Sequence, residues 1–292
     1  MAGTWSYVVF CPQRGLALGV PEARRVLSLL ERGGGSTAVN IGTCTVRVEP
    51  RGSNVRIGSF EVPCAALLEV AEGDEDYVYF LYGDGRVFRV AFHRQERFYK
   101  LRFLGEAVAP TLEISGIHMH NIVGTDPWRD AERKVRLARV KGGMRVLDVC
   151  TGLGYTAIHS ARRGAMVLSI EKDPSVLEVA EYNPWSWPLA SLDVTILLGD
   201  AVEVLDDLPE ATFDAVIHDP PRFSLAGELY SNDFYRKLYK VMKRGSTLFH
   251  YTGGPGRHRG MNFQAGVVRR LRKAGFSIVT IIRDYGVVAT RP

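Results

Sequence analysis

The sequence predicts an α/β fold with a parallel, doubly wound sheet, preceded by a smaller β-rich domain. From Met144 onward, strand-like and helix-like segments alternate strictly. Strands are expected near 144–149, 166–171, 193–198, 213–218, 246–251, 276–282 and 286–290, and helices near 154–163, 174–182, 200–207, 231–243 and 261–274. Such alternation builds a parallel sheet that binds ligands at the carboxyl ends of its strands. Only a short turn containing Arg283 and Asp284 separates the last two strands, so these two are expected to be antiparallel.

The stretch 146–173 reads as a strand, a glycine turn, a helix and a second strand that ends in Glu171. Gly152, Gly154 and Ala157 fit the pattern G-x-G-x-x-G/A, and Glu171 follows at about the expected ~20 residues. Glycines let backbone N–H groups approach a ligand closely, and a helix N-terminus favours an anionic group. An acid at the next strand end can accept hydrogen bonds from ribose hydroxyls. By itself, the glycine pattern is equally typical of a tight turn.

Acidic residues stand at the ends of four successive predicted strands: Asp148, Glu171, Asp200 and Asp219. Asp148 lies four residues before the first glycine, where a carboxylate would repel a pyrophosphate. The same carboxylate would suit a ligand that carries an ammonium or a sulfonium group. The four acids therefore favour a cationic nucleoside over a dinucleotide.

Several motifs occur in a familiar order: DVCTGLGYTAI, SIEKDP, EYNPWS, LLGDA and HDPPRFS. Together they resemble class I S-adenosylmethionine-dependent methyltransferases. The segments GIHMH, TDPW and DPPRFSLAGELYS resemble in particular a group of predicted archaeal methyltransferases. The resemblance covers roughly Ile114 to the C-terminus and is more specific for the cofactor than for the substrate. It implies a Rossmann-like, seven-stranded sheet that ends in one antiparallel hairpin.

The resemblance also implies where S-adenosylmethionine binds. The glycine turn would contact its methionine part, Glu171 and Lys172 its ribose, and Asp200 its adenine. The full set of cofactor-binding candidates is Asp148, Thr151, Gly152, Gly154, Tyr155, Glu171, Lys172, Gly199, Asp200 and Ala201.

Asp219, Pro220, Pro221 and Arg222 resemble the motif of methyltransferases that modify an amino nitrogen conjugated to a ring or a carbonyl. The lone pair of such a nitrogen is delocalised, so the nitrogen is a poor nucleophile. A carboxylate and a backbone carbonyl can accept its two N–H groups and favour tetrahedral geometry. The prolines fix φ and hold that carbonyl, and Asp219 is the candidate general base. The alternative is that Asp-Pro-Pro merely ends a strand.

The sequence departs from that motif at Arg222, which occupies the position of the usual aromatic residue, while Phe223 follows one place later. A guanidinium plane can stack on a base or bind phosphate, so Arg222 and Phe223 are both candidate catalytic-site residues. The loop 224–230 is expected to cover the site. No cysteine follows Cys150, which argues against methylation of pyrimidine carbon 5 and favours cytosine N4. Aminopropyl transfer is disfavoured because the motifs do not resemble that family.

Composition limits the other classes of function. The chain has 292 residues, enough for two domains, and it contains no run of about 18 apolar residues that could span a membrane. The N-terminus does not read as a signal peptide. Four scattered cysteines without a C-x-x-C pair make zinc and disulfide frameworks improbable. The expectation is a cytoplasmic enzyme without a structural metal.

The net charge of +5 is unevenly distributed, since no acidic residue occurs between Asp233 and Asp284. This basic span favours RNA as a partner, and ordinary solvated helix faces are the alternative. The alternatives for function are a methyltransferase for protein or a small amine and a non-catalytic nucleotide-binding protein. The cations of the span are Arg236, Lys237, Lys240, Lys243, Arg244, Arg257, Arg259, Arg269, Arg270, Arg272, Lys273 and Arg283.

Residues 1–110 are expected to form the β-rich domain, and 111–292 the methyltransferase domain with an N-terminal linking helix. A helix is predicted at 21–31, and Gly83–Asp84–Gly85 predicts a hairpin turn. Strands are predicted at 39–48, 55–62, 77–81, 87–92 and 97–103. Basic and aromatic residues alternate in the last two strands, which could bind RNA or form an ordinary half-buried sheet.

The segment 114–140 connects the two predicted domains. Asp126 and Pro127 predict the start of a helix rich in Arg and Lys, which Gly142 and Gly143 are expected to end. His118 and His120 could flank a site, although such a pair more often hydrogen-bonds to the local backbone.

Overall fold

The computed structural model describes residues 5–253 and 263–292. Contacts between residues divide the chain into two compact units. The first comprises Met1–Phe10, Arg129–Pro174 and Pro188–Pro292, and the second comprises Cys11–Trp128 and Ser175–Trp187. This division differs from the expected boundary at residue 110, because an antiparallel sheet of the second unit continues beyond that residue.

An eight-stranded sheet forms the centre of the first unit. Its order is β1 (Ser6–Val8), β15 (Val194–Leu198), β14 (Met166–Glu171), β13 (Arg145–Val149), β16 (Phe213–His218), β17 (Met242–Tyr251), β19 (Gly286–Thr290) and β18 (Ser277–Ile282). The strands from β15 to β17 in this order are parallel, whereas β19 is antiparallel to both of its neighbours. The seven predicted strands and the final antiparallel pair are confirmed.

The strand β1 was not predicted. It pairs antiparallel with β15, with Ser6 opposite Leu198. The Trp5 indole N–H donates to Asp207 at 2.9 Å, and a Cβ on Gly199 would lie 2.6 Å from the Trp5 Cβ. The assignment of Ser6–Val8 to the β-rich domain is therefore corrected, because these three residues form the edge strand of the large sheet.

Helices of the first unit follow the predicted alternation. They are α3 (Pro127–Leu137), α4 (Tyr155–Arg162), α6 (Ala201–Asp207), α7 (Asn232–Val241) and α8 (Phe263–Lys273), whereas the predicted helix α5 (Pro174–Glu181) belongs, except for its first residue, to the second unit. The helix α3 ends five residues before Gly142, because Arg139 takes a left-handed conformation with φ 58°. Leu147, Val216 and Leu248 of the sheet are fully buried in one core with Leu238 and Leu271 of the helices. Burial of such side chains stabilises the layers by about 1.5–3 kcal/mol each.

The second unit begins with β2 (Leu16–Leu18) and the predicted helix α1 (Val20–Glu31). A four-stranded antiparallel sheet follows, consisting of β3 (Gly35–Val39), β4 (Cys44–Arg51), β5 (Asn54–Ile57) and β6 (Phe60–Pro63). The predictions of single strands at 39–48 and 55–62 are wrong, because turns interrupt both. Left-handed residues at 40–42 and at Gly58 make these turns. The helix α2 (Cys64–Ala71) was not predicted.

Two further sheets complete the second unit. β7 (Tyr79–Leu81) pairs with β2 and with β8 (Val87–Arg89), which confirms the predicted hairpin at 83–85. The strands β9 (Ala91–Arg94), β10 (Arg97–Arg102), β11 (Thr111–Ile114) and β12 (Ile117–His118) form the last antiparallel sheet. No helix within the described ranges is long and apolar enough to cross a membrane.

Glu22 is a fully buried carboxylate near the start of α1. Its two oxygens accept hydrogen bonds from the backbone N–H groups of Gly19 at 3.0 Å and of Gly42 at 3.1 Å. Burial raises the pKa of Glu22 to about 7, although both hydrogen bonds favour the ionised form. The side chain therefore fixes the helix start against the turn at 40–42.

We expect Glu22→Ala to lower the free energy of unfolding by about 2 kcal/mol, because two buried N–H groups lose their acceptor. Urea denaturation measures this change. Glu31→Ala, at the exposed end of the same helix, is the matched control and should be nearly neutral. Equal losses in the two variants would contradict the role of Glu22.

Candidate active site

The four strand-end acids lie at the same edge of the large sheet. In the parallel register, Asp148 is opposite Ile217, so Asp219 follows just beyond it on the neighbouring strand. Glu171 is opposite Leu198, two residues before Asp200. Because β15, β14, β13 and β16 are neighbours, the structure brings the acids together as the sequence predicted.

The glycine turn contains three residues with left-handed backbone: Cys150 (φ 72°), Gly152 (φ 55°) and Gly154 (φ 77°). A Cβ on Gly152 would meet no atom within 4 Å, so Gly152 borders open space that a ligand can enter. A Cβ on Gly154 would lie 2.5 Å from the Leu189 Cδ1. Gly154 is thus needed for packing at the start of α4, and only Gly152 offers the close approach that was expected of both glycines.

Glu171 is buried, and its carboxylate accepts three backbone hydrogen bonds. Gly152 N–H donates to Oε2 at 2.9 Å, while the N–H groups of Lys172 and Asp173 donate to Oε1 at 2.9 and 3.0 Å. Burial raises the pKa of Glu171 against the effect of these hydrogen bonds. The side chain therefore links the glycine turn to the end of β14. Oε1 already accepts two hydrogen bonds, so Oε2, which accepts one, has the lone pair that can accept a ribose hydroxyl.

Asp148 is fully buried, and a chain of hydroxyl groups holds one of its oxygens. Ser169 donates to Oδ2 at 2.7 Å, and Thr151 lies 2.6 Å from the Ser169 hydroxyl. Oδ1 has no hydrogen-bond partner among the described residues. Burial raises the pKa of Asp148 to about 7. An unpartnered buried oxygen beside the glycine turn fits an ammonium or sulfonium ligand, whereas Thr151 acts on this site through Ser169.

The last acid of the cofactor set, Asp200, forms the N-cap of α6. Its Oδ1 accepts from Val202 N–H at 2.8 Å, and its Oδ2 lies 2.6 Å from Lys172 Nζ. Burial acts to raise the pKa of Asp200, but the hydrogen bond from Lys172 and the capping bond lower it on balance. The remaining candidates Gly199, Tyr155 and Ala201 lie at the same edge, the last two as the buried first residues of α4 and α6.

Asp219, the candidate base, is paired with a lysine that the sequence analysis did not single out. Its Oδ2 lies 2.5 Å from Lys134 Nζ, which also lies 3.0 Å from Asp130 Oδ2. The side chain of Lys134 is 4% exposed and that of Asp219 is 21% exposed. Burial raises the pKa of Asp219, and Lys134 opposes that effect.

Asp130 and Lys134 are anchored by aromatic residues at the ends of two further strands. The Tyr285 hydroxyl donates to Asp130 Oδ1 at 3.0 Å, and Lys134 Nζ lies 4.2 Å from the centre of the Tyr251 ring. Tyr251 ends β17 and Tyr285 precedes β19. The N-terminal half of α3 therefore packs over the carboxyl edge of the sheet. The sequence contained a signal for this: Asp130 and Lys134 share a helix face with Ala131, Val135 and Ala138, which are all buried.

The backbone carbonyls of the two prolines after Asp219 differ in their hydrogen bonding. Pro221 C=O accepts a hydrogen bond from the buried Tyr230 hydroxyl at 2.8 Å. Within residues 5–253 and 263–292, no donor bonds to the carbonyl of Pro220. Pro220 C=O is therefore the acceptor that can serve a substrate next to Asp219.

Arg222 and Phe223 are both exposed. The Phe223 ring lies 5.6 Å from that of Tyr230 and 5.4 Å from that of Phe263. The loop expected to cover the site ends in a short 3₁₀ helix, Gly227–Tyr230, which places Tyr230 under the prolines. Phe223 thus offers an exposed aromatic surface one residue beyond the position where the related motif has one.

Two buried histidines, His218 of β16 and His250 of β17, contribute little to acid–base chemistry at this edge. His218 stacks on His250 with ring centres 4.4 Å apart, and burial lowers the pKa of both, to about 4 for His218. Both imidazole rings are therefore neutral, and His218 directly precedes Asp219 in the chain. In the second unit, His120 Nδ1 lies 3.0 Å from the Thr111 hydroxyl, and His118 contacts Arg102 and Glu113. His120 Nδ1 also accepts from the backbone N–H of Leu112 at 3.4 Å, as the simpler interpretation predicts, whereas the contacts of His118 are with side chains.

In the folded protein, ion pairs with acids outside the basic span compensate several of its cations. Lys237, Lys240 and Lys243 pair with Asp206, Glu210 and Asp214, which precede the span along the chain. Arg257 and Arg259 lie outside the described residues. In the part of the chain that the structure describes, the span's cations without an ion pair or side-chain hydrogen bond are Arg236, Arg244, Arg269, Arg272 and Lys273.

The basic and aromatic residues of the N-terminal strands mostly contact one another or nearby acids. Arg89 lies 4.7 Å from the centre of the Tyr77 ring, and Lys100 lies 3.9 Å from it. Arg94 pairs with Glu178 at 2.6 Å. These contacts are typical of an ordinary half-buried sheet.

Comparisons with known proteins identify relatives of this chain. Residues 179–286 match the sequence model of a family described as S-adenosyl-L-methionine-dependent methyltransferase. An uncharacterized protein of Methanocaldococcus jannaschii is 47% identical over 228 residues, which are 77% of each chain. A putative ribosomal RNA large subunit methyltransferase of the same organism is 36% identical over 87 residues, 29% of this chain and 22% of that one.

Spermidine synthase from Thermotoga maritima superposes with a TM-score of 0.53 at 14% identity, over 69% of this chain and 71% of that one, which shows a shared fold. The chain is an S-adenosylmethionine-dependent methyltransferase. It belongs to the same family as the uncharacterized Methanocaldococcus jannaschii protein.

We expect Glu171→Ala to weaken S-adenosylmethionine binding about 10-fold to 100-fold, since hydrogen bonds to a charged group contribute about 1.5–3 kcal/mol. Isothermal titration calorimetry measures the affinity. Glu210→Ala, which removes an exposed acid away from the site, is the control. Unchanged affinity in Glu171→Ala would remove Glu171 from the cofactor site.

The raised pKa of Asp148 makes a pH-dependent contribution to stability. The protonated form is favoured in the folded protein, so this contribution is present below about pH 4 and is lost as the pH rises through about 7. Asp148→Asn keeps the side chain neutral. Its thermal stability relative to the wild type should therefore increase between pH 4 and pH 8, by roughly 2–4 kcal/mol. Melting curves without cofactor test this, with the exposed Asp193→Asn as control, and a difference independent of pH would contradict it.

Proposed function

We propose that this methyltransferase modifies an exocyclic amino group of an RNA base, with cytosine N4 as the favoured acceptor. The observation that carries the proposal is the pair of acceptors at the end of β16. Asp219 Oδ2 is bonded to Lys134, so Oδ1 is the oxygen left for a substrate. Pro220 C=O supplies the second acceptor because Tyr230 engages only the carbonyl of Pro221.

Two acceptors suit the chemistry of a conjugated amine. Bound S-adenosylmethionine supplies an electrophilic methyl group on a sulfonium. Asp219 Oδ1 and Pro220 C=O would accept the two N–H groups of the amine and localise its lone pair on nitrogen. As nitrogen bonds to the methyl carbon, the C–S bond breaks and its electrons remain on sulfur. Asp219 would receive the proton that nitrogen then loses.

Residues that could hold the base follow directly after the prolines. The exposed Phe223 ring can stack on a base, and the exposed Arg222 guanidinium can stack or bind a phosphate. A base that is paired and stacked cannot present its amine to a donor held at a sheet edge. The proposed substrate is therefore single-stranded or has its base turned out of the helix.

Support for RNA comes from relatives and from charge. The partial matches include two putative ribosomal RNA large subunit methyltransferases and probable ribosomal RNA small subunit methyltransferases A from two Thermococcus species. On α8, Arg269, Arg272 and Lys273 are exposed in the C-terminal part of the helix. We also propose that this chain belongs to the group of archaeal methyltransferases that share the DPPRFS segment.

We expect Asp219→Asn to lower turnover by roughly 10²-fold or more, because the variant loses a positioned base and turns one acceptor into a donor. Affinity for S-adenosylmethionine should be nearly unchanged. The assay measures methyl transfer from labelled S-adenosylmethionine to RNA from a strain that lacks the enzyme, with nucleoside mass spectrometry of the product. Asp233→Asn, at an exposed position of α7, is the control.

Three results would contradict parts of this proposal. Wild-type turnover in Asp219→Asn would refute the mechanism. A product methylated on carbon or on ribose would refute the acceptor. Transfer to protein or a small amine, with none to RNA, would refute the substrate class.

We expect the double change Arg269→Ala and Arg272→Ala to weaken RNA binding and to reduce the slope of log affinity against log salt by about 1–1.5 for single strands. Fluorescence anisotropy with a labelled oligonucleotide at several salt concentrations measures the slope. Arg47→Ala with Arg51→Ala removes the same charge from exposed positions on β4 and is the control. An unchanged slope would exclude this face of α8.

A further inference from the structure

Lys134 is a buried cation that takes no part in the methyl transfer or the proton transfer described above. Resting on the proposed function, we propose that Lys134 is a positioning residue: its ammonium keeps the Asp219 carboxylate ionised and oriented, with Oδ2 held and Oδ1 turned toward the acceptor amine.

The contacts of Lys134 hold its ammonium group on three sides. An ammonium has three N–H donors. Lys134 Nζ lies 2.5 Å from Asp219 Oδ2, 3.0 Å from Asp130 Oδ2 and 4.2 Å from the centre of the Tyr251 ring. Two carboxylates and one aromatic face thus engage the group, which is nearly inaccessible to solvent. Lys134 therefore acts on the reaction through Asp219 and does not touch the substrate.

Asp130 fixes the position of the lysine. It lies one helical turn before Lys134 on α3, and its other oxygen accepts from the Tyr285 hydroxyl at 3.0 Å. Two buried carboxylates this close cannot both remain ionised without a cation between them. Without Lys134, one of them would take up a proton. A protonated Asp219 would donate a hydrogen bond, whereas the amine needs an acceptor.

Among the residues that the structure describes, Lys134 is the one cation that acts on Asp219. The other groups around it are Asp130 of α3, Asp148 of β13, Cys150 after that strand, and the tyrosines Tyr230, Tyr251 and Tyr285; Arg222 acts on Tyr251, and Arg133 acts on Tyr285. Burial raises the pKa of the three tyrosines and of Cys150, so these four groups are neutral. The trio of Asp130, Lys134 and Asp219 carries one net negative charge, which is compatible with a sulfonium nearby.

The first experiment needs no RNA. Infrared difference spectra of Lys134→Met against Lys134→Met with Asp219→Asn, at pH 6, should show a protonated carboxyl band that belongs to Asp219. The same pair of spectra in the wild-type background should lack it. If the lysine variant does not fold, adding Asp130→Asn removes the unpaired buried acid and permits the same comparison. Absence of the band in both lysine variants would overturn the inference.

The second experiment follows turnover on RNA from the deletion strain. Lys134→Met should lose about 10²-fold at pH 6, with the acid limb of its pH profile shifted upward, while affinity for S-adenosylmethionine changes little. In the Asp219→Asn background, the same change should add less than about threefold, because both residues act as a unit. Lys237→Met, which breaks an ion pair with Asp206, is the matched control.

The outcomes separate the two proposals. Absence of methyl transfer to RNA by the wild type, or full turnover in Asp219→Asn, refutes the proposed function, and the infrared comparison still decides the role of Lys134. An inactive Asp219→Asn with a wild-type pH profile in Lys134→Met overturns the role of Lys134 alone. Fully multiplicative losses in the double variant do the same.

Discussion

Parallel pairing places the carboxyl ends of neighbouring strands at one edge of a sheet, and the site of this methyltransferase follows from that constraint. Asp148, Glu171, Asp200 and Asp219 end or follow four adjacent strands. The same constraint creates an electrostatic cost, because burial opposes ionisation of each acid and neighbouring acids repel one another. Each acid is stabilised differently: Glu171 by three backbone N–H groups, Asp200 by Lys172 and a helix N-terminus, and Asp219 by Lys134.

Asp148 differs from the other three acids, because among the described residues neither a lysine nor a backbone N–H group bonds to its carboxylate. Only hydroxyl groups, those of Ser169 and Thr156, bond to it, no cation in the described part of the chain pairs with it, and burial raises its pKa to about 7. A carboxylate that lacks a cation within the protein is suited to receive one from a ligand. This arrangement is compatible with the expectation that Asp148 favours a ligand carrying an ammonium or a sulfonium over a pyrophosphate.

Most of the sheet and the acids of the candidate site could be predicted from the sequence, because both follow from local patterns. Alternating apolar runs identified all seven strands, and each acid stood at the end of a run. Features that depend on distant partners were harder to predict. The strand β1 has three residues and no signal of its pairing with β15. The basic span appeared unpaired because Asp206, Glu210 and Asp214 precede it along the chain.

Lys134 shows why a catalytic site is harder to predict than the fold that carries it. The helix α3 contains Arg129, Arg133, Lys134 and Arg136, and composition alone does not rank them. Helical periodicity places Lys134 among buried residues, where an unpaired ammonium would be costly. That position requires a carboxylate partner, and Asp130 one turn earlier supplies only one. A buried lysine has capacity for a second acid, and the carboxyl edge of a parallel sheet beneath α3 is where such acids gather. The unusual placement of a cation on an apolar helix face thus identifies the strand-end acid with which it shares the site.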